Sequence, residues 1–250
     1  MEILPWLFGL LLVAHPLSGA AADGAKGATI AFTGYIDADT VTAFIAKHRA
    51  ETVERIVVES EGGDVREALV LANWIVDRGL DVEVRKVCAS SCANYLFAAG
   101  RRKIIEDGGI VIWHGSILQK SFRVRGDDCE RRINELQHAG GELADRYLEA
   151  LDFELQHCAY LASTVARQAA FFARVDVDEY VTRMGQEPHD FKAIWNVPVA
   201  VMSRMGLRDV EAPAGYASHE YLKRWNRAGD SEPILSLGFD EAGRVVELAR

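Results

Sequence analysis

The chain has 250 residues, with 28 Lys and Arg against 37 Asp and Glu, for a formal charge of −9. An acidic balance argues against a nucleic-acid binder, whose phosphate contacts need a basic surface. Apolar residues make up 49% and charged residues 26%, close to globular averages, so disorder, collagen and low-complexity classes are excluded, and four cysteines are too few for a disulfide-dense mini-scaffold.

Residues 3–14, ILPWLFGLLLVA, form an uncharged apolar run, followed by small residues up to Ala20-Ala21-Ala22 and then Asp23. The run is too short to span a bilayer, which needs about 20 apolar residues. It reads as the apolar region of a secretory signal, residues 1–22, cleaved near Ala22. The expected location is a bacterial periplasm or the exterior, with no stable membrane span after cleavage. Disulfides can form there.

Residues 28–33 read as a strand, and Asp37 or Asp39 is placed to cap a helix over about 39–49. Residues 55–60 form a short apolar strand ending at Glu61-Gly62-Gly63. A helix follows over about 64–78, with Val65, Ala68, Leu69, Ala72 and Ile75 on one face and Gly79 as its stop. Residues 81–87 alternate as a strand. Cys88-Ala89-Ser90-Ser91 then leads into an apolar helix over about 91–99, closed by Gly100. Arg102–Ile105 and Gly109–Trp113 are two further strand-like runs. Strands alternating with helices predict an α/β fold with a largely parallel sheet.

After His114 the texture becomes helical, over about 127–170, with Leu136, Leu143, Tyr147, Leu151, Leu155 and Leu161 as an apolar stripe suited to core or oligomer contact. Residues 216–250 are turn-rich and read as a peripheral tail. The predicted organisation is a signal over 1–22, one α/β domain over 23–215 with a helical insertion over about 117–185, and the tail. Cys129 and Cys158 flank a helical stretch, where a bridge is expected. Cys88 and Cys92 either pair or stay as buried thiols. Their C-x-x-x-C spacing is neither the redox C-x-x-C pattern nor a zinc spacing, so no metal or cofactor is expected.

Three local features carry chemistry. Gly62-Gly63 ends a strand where exposed N–H groups can hold an oxyanion. Ser90-Ser91 stands in a tight turn before a buried helix, the setting in which several hydrolases present a nucleophile. His114 closes the strand Ile110–Trp113 at the sheet's carboxyl edge, where α/β ligands bind.

The order of these features, from about Ala28 to Ser116, resembles the Clp protease proteolytic subunit within the wider ClpP/crotonase fold. The resemblance implies a spiral of β-β-α units with helical additions after the core. It gives Gly63 an oxyanion N–H by analogy with the family's glycine turn. The family's nucleophile precedes an apolar helix ending in Ala-Ala-Gly; counting back from Ala98-Ala99-Gly100 places it at Ser91, with the Cys92 N–H as second oxyanion donor. His114 takes the place of the family's histidine, 23 residues on, slightly short of the family's spacing. The family's aspartate falls at Asp190, counted back from Gly206-Leu207-Arg208-Asp209, with Asp176, Asp178 and His189 as rivals. The departures are Glu61 for a proline, the added hydroxyl of Ser90, and Cys92-Ala93 for Met-Gly. A Ser–Lys dyad using Lys86 or Lys103 is a variant that nothing in the pattern favours.

The function implied is an exported, ATP-independent serine peptidase or hydrolase with a Ser91-His114-Asp190 triad, acting on peptides or unfolded protein as a homo-oligomer. The alternative is a catalytically inactive ClpP-like fold used for binding or as a scaffold. Acyl-thioester chemistry on a crotonase-like fold is a third reading.

Overall fold

The computed structural model describes residues 27–117, 129, 131, 135, 144–185, 194–226 and 233–248. The expected signal segment, residues 1–22, lies outside these. Among the described residues no helix is long and apolar enough to cross a membrane.

The fold is mixed α/β around a parallel sheet. Strand β1 (Ala28–Thr33) pairs with β2 (Val53–Ser60), and β2 with β3 (Asp81–Ala89), all parallel. Beyond β3 the sheet splits. The first half of β3, Val82–Val84, pairs with β4 (Lys103–Ile105), while its second half, Val87–Ala89, pairs with β5 (Ile110–Ile112). Gly109 sits at the split; a Cβ there would lie 2.5 Å from the Val84 carbonyl oxygen, so only glycine lets the chain pass from one half to the other. A short β7 (Val210–Glu211) extends the β4 edge.

Helix α1 (Ala38–His48) starts at Asp37 with a capping box: Thr40 N–H donates to the Asp37 carboxylate at 2.8 Å, and Asp37 N–H donates to Thr40 Oγ1 at 3.1 Å. Of the two candidate caps, the position nearer the strand is used. Helix α2 (Val65–Arg78) is capped by Asp64 and ends at Gly79 in the left-handed conformation. Its buried face, Ala68, Leu69, Leu71, Ala72 and Ile75, packs in the same apolar cluster as Ile56, Val58, Val82 and Val84 of β2 and β3.

The long helix α4 (Ala144–Val175) lies against α2. Its core face is formed by Thr164, Gln168, Phe171 and Phe172. Leu155, expected in the apolar stripe, is exposed together with Phe153. Among the described residues, the buried ones of the helix lie in its C-terminal half.

The C-terminal residues are not a peripheral tail. A second sheet of β6 (Ile194–Asn196), β8 (Ile234–Phe239) and β9 (Val245–Glu247) is joined to the end of β5 by Trp113 and Trp195, which exchange backbone hydrogen bonds of 2.8 Å both ways. Tyr216 and Tyr221 then insert their hydroxyls into backbone positions of β5 and the preceding turn: Val111 N–H donates to Tyr216 Oη at 3.0 Å, and Tyr221 Oη donates to the Gly109 carbonyl. Aromatic residues in a turn-rich stretch anchor it by such polar tips.

Lys103 is buried at the β4 edge, where Nζ donates to the Gly100 and Arg208 carbonyls at 2.8 and 3.1 Å. Burial lowers its pKa from 10.5 to about 8, against the pull of Asp209. Between these values the unfolded chain binds the proton more tightly, so the cost of burying the charged amine, present in full below pH 8, is relieved as pH rises to 10.5. The stability of the native protein minus that of Lys103→Met, from denaturant midpoints, is expected to increase across that interval. A flat difference would refute the burial penalty.

Candidate active site

β3 ends at Ala89, and the chain turns into the short buried helix α3 (Cys92–Phe97), whose hydrogen bonds are of the wide i→i−5 kind. Ser90 lies in the turn with φ +56°, a left-handed conformation that non-glycine residues enter rarely. Its N–H donates to the Ile112 carbonyl at 3.0 Å, and its carbonyl accepts from Asn94 N–H at 2.8 Å.

The hydroxyl facing His114 is that of Ser90, with Ser90 Oγ 2.7 Å from His114 Nε2. This corrects the residue count that placed Ser91 there. Ser91 is buried, and its hydroxyl donates instead to the Gly63 carbonyl at 2.8 Å. Ser90 and Ser91 stand side by side in one turn, and it is the left-handed residue, Ser90, whose hydroxyl meets His114. From Ser90 the interval to His114 is 24 residues, against 23 from Ser91.

The glycine turn meets this serine turn directly. A Cβ on Gly62, at φ +106°, would come within 2.6 Å of the Ser90 Cβ, and one on Gly63 within 2.1 Å of the Ile36 carbonyl oxygen. Ile36 brackets the turn: its N–H donates to the Gly62 carbonyl at 2.9 Å, and its carbonyl accepts from Asp64 N–H at 2.8 Å. Because the peptide is planar and trans, the Gly63 N–H points opposite to the Gly62 carbonyl, away from Ile36. It therefore faces the side on which the Gly63 carbonyl meets Ser91. The Ser91 N–H opens the helix, where no preceding turn supplies an acceptor. The Cys92 N–H, expected as second oxyanion donor, lies one residue further from Ser90.

Two supporting groups were not singled out from the sequence. Asn94 is buried; besides its backbone bond to Ser90, its Nδ2 donates to the Gly115 carbonyl at 3.0 Å, which ties the serine turn to the residue after His114. Asp64 caps α2 through Arg66 and Glu67 N–H groups and accepts from Tyr160 Oη of α4 at 3.2 Å. Burial, and then the Asp64 charge, raise the Tyr160 pKa. The guanidinium of Arg66 lies 4.3 Å over the same ring, so α4 is fastened beside the glycine turn. Asp64 after Gly-Gly was the legible signal, as a helix cap.

Asp190 and its rival His189 lie outside the described residues. The other rivals are engaged elsewhere: Asp176 with Arg208, and Asp178 as cap to Tyr180 N–H. Lys86 pairs with Glu59 at 2.8 Å. Lys103 pairs with Val82, which is separated from Ser90 by about 20 Å or more along β3. Cys88 and Cys92 are joined in a disulfide, as are Cys129 and Cys158. Among the described residues no three His, Cys, Asp or Glu side chains gather as a metal site.

No protein-family model matches the chain, and no curated protein matches it.

Gly34 provides an internal control for the glycine turn, because it has a similar φ of +104° but open space around a would-be Cβ. Gly34→Ala is expected to cost only backbone strain, about 1–3 kcal/mol. Gly62→Ala should cost that plus displacement of Ser90, and so melt clearly lower. Equal losses in thermal melts would show that Gly62 does not meet Ser90 as described.

Proposed function

We propose that the protein is a serine hydrolase of the acyl-transfer type, with Ser90 as nucleophile and His114 as general base. The observation that carries this reading is the 2.7 Å contact between Ser90 Oγ and His114 Nε2. The setting supports it: a serine held at positive φ between a strand and a buried helix, beside a glycine turn with an outward N–H. The order of parts along the chain supports placing it in the ClpP/crotonase fold, with peptide or unfolded protein as substrate. Export to a periplasm or exterior, an ATP-independent activity and a homo-oligomeric state belong to the same proposal.

With the neutral imidazole carrying its proton on Nδ1, Ser90 Oγ donates to Nε2. On attack, the proton passes to Nε2 as the Oγ–carbon bond forms, and the carbonyl oxygen becomes an oxyanion. The Gly63 and Ser91 N–H groups are the proposed receivers of that charge, Ser91 taking the role first expected of Cys92. Each such donor contributes about 3–4 kcal/mol of barrier reduction. The imidazolium then protonates the leaving group, and a water activated by His114 releases the acyl group. Asp190 stands as the residue proposed to orient His114. The Ser91 hydroxyl has a separate task, holding the Gly63 carbonyl and thereby the glycine turn.

A fluorophosphonate probe tests this. Purified protein is expected to carry the adduct on Ser90, mapped by mass spectrometry. Ser90→Ala abolishes it, and His114→Ala slows it by about 10²–10⁴-fold. Ser91→Ala loses one hydrogen bond worth about 1 kcal/mol and labels within about tenfold of the native rate. An adduct on Ser91, or no adduct on folded protein, would sink the assignment.

A further inference from the structure

We propose that the Cys88–Cys92 disulfide is a latch on the nucleophile, so that Ser90 is held for reaction only while these two cysteines are oxidised. The inference rests on the reading of Ser90 as nucleophile. The bridge closes a turn of three residues, Ala89, Ser90 and Ser91, with the serine at its centre. Its two ends belong to different elements. Cys88 is locked in β3 between Ser60 of β2 and Val111 of β5, while Cys92 opens α3, and both are fully buried.

A loop this short constrains the unfolded chain least of all, so the effect of the bridge is local. It fixes the end of β3 relative to the start of α3, and the residue between them occupies the left-handed region. Without the bridge, the turn relaxes toward the conformations a serine prefers. Ser90 Oγ then leaves the line between His114 and the oxyanion donors. The second disulfide, Cys129–Cys158, joins a cysteine of α4 to one 29 residues earlier and spans no site residue.

Oxidation removes two protons and two electrons from the Cys88 and Cys92 thiols and forms the S–S bond. A disulfide reagent or disulfide oxidoreductase accepts them and becomes a dithiol; dithiothreitol reverses the exchange through a mixed disulfide. A hydrolase built in this way stays silent wherever thiols are kept reduced and becomes active in an oxidising compartment.

The test is fluorophosphonate labelling of Ser90 in three proteins: the oxidised native chain, the Cys88→Ala/Cys92→Ala pair, and the Cys129→Ala/Cys158→Ala pair. Misplacing a reacting atom by about 1 Å can cost on the order of 100-fold. The Cys88/Cys92 pair is therefore expected to label at least about tenfold more slowly. The fall should lie in the maximal rate rather than in the probe concentration giving half of it, with melting still cooperative. The Cys129/Cys158 pair should label within about threefold of native. Should the Cys88/Cys92 pair not fold, a partly reduced native pool, alkylated and then mapped, decides: adducts confined to bridged molecules support the latch. Equal labelling of bridged and unbridged molecules overturns it. Absence of labelling in the oxidised native chain overturns the nucleophile assignment itself, and the latch with it.

Discussion

The backbone of Ser90 stands in the left-handed region at φ +56°, and the surrounding elements are arranged about that single conformation. A left-handed residue other than glycine costs about 1–2 kcal/mol, small against the burial of the β2–β3–α3 core but large enough to need partners. Both its backbone groups are used, the N–H by Ile112 of β5 and the carbonyl by Asn94 of α3. On the third side Gly62 has no Cβ to push it away. The strand that leads to His114, the helix that follows the serine and the turn that carries Gly63 therefore all meet at one residue. Moving any of them moves the hydroxyl relative to the imidazole.

Much of the parallel core was legible in the sequence because it follows from local rules. Apolar runs such as Ile56-Val57-Val58 read as buried strands, the α2 face repeats at helical spacing, and Asp37 and Gly79 punctuate helices as their chemistry dictates. His114 was legible as the end of an apolar strand. The choice between Ser90 and Ser91 was not, because adjacent hydroxyls in one turn differ only in backbone geometry. The i→i−5 hydrogen bonds of α3 and the Asn94 bond to the Gly115 carbonyl are further features that a count along the chain does not register.

Contacts made across long sequence separations were the other part that escaped. Trp113 and Trp195 pair through their backbones, and Asn196 donates to both the Val111 carbonyl and Tyr216 Oη at 2.8 and 2.7 Å. These polar groups are buried with their partners, and Tyr216 is pushed to a high pKa by that burial. A turn-rich stretch with isolated tyrosines looks peripheral in one dimension. In three dimensions those tyrosines satisfy backbone groups of β5 and of the turn before it, the segment that leads to His114, and leaving such groups unpaired in the core would cost about 1–3 kcal/mol each.

On the proposed acyl-transfer reading, the two serines divide the demands of that chemistry. One hydroxyl would have to be free to lose a proton, and the peptide proposed to receive the oxyanion would have to be kept from turning. The Gly62–Gly63 peptide is fixed from one side, where Ile36 N–H holds the Gly62 carbonyl, and the following carbonyl is fixed from the other, where Ser91 Oγ donates to it. Both bonds act on atoms that take no part in the chemistry, so the Gly63 N–H between them is oriented without being consumed. Donors aimed in advance need no reorganisation as charge develops. This places the Ser91 side chain in the role of keeping the glycine turn rigid, and it gives a physical reason for a second hydroxyl beside the one that faces His114.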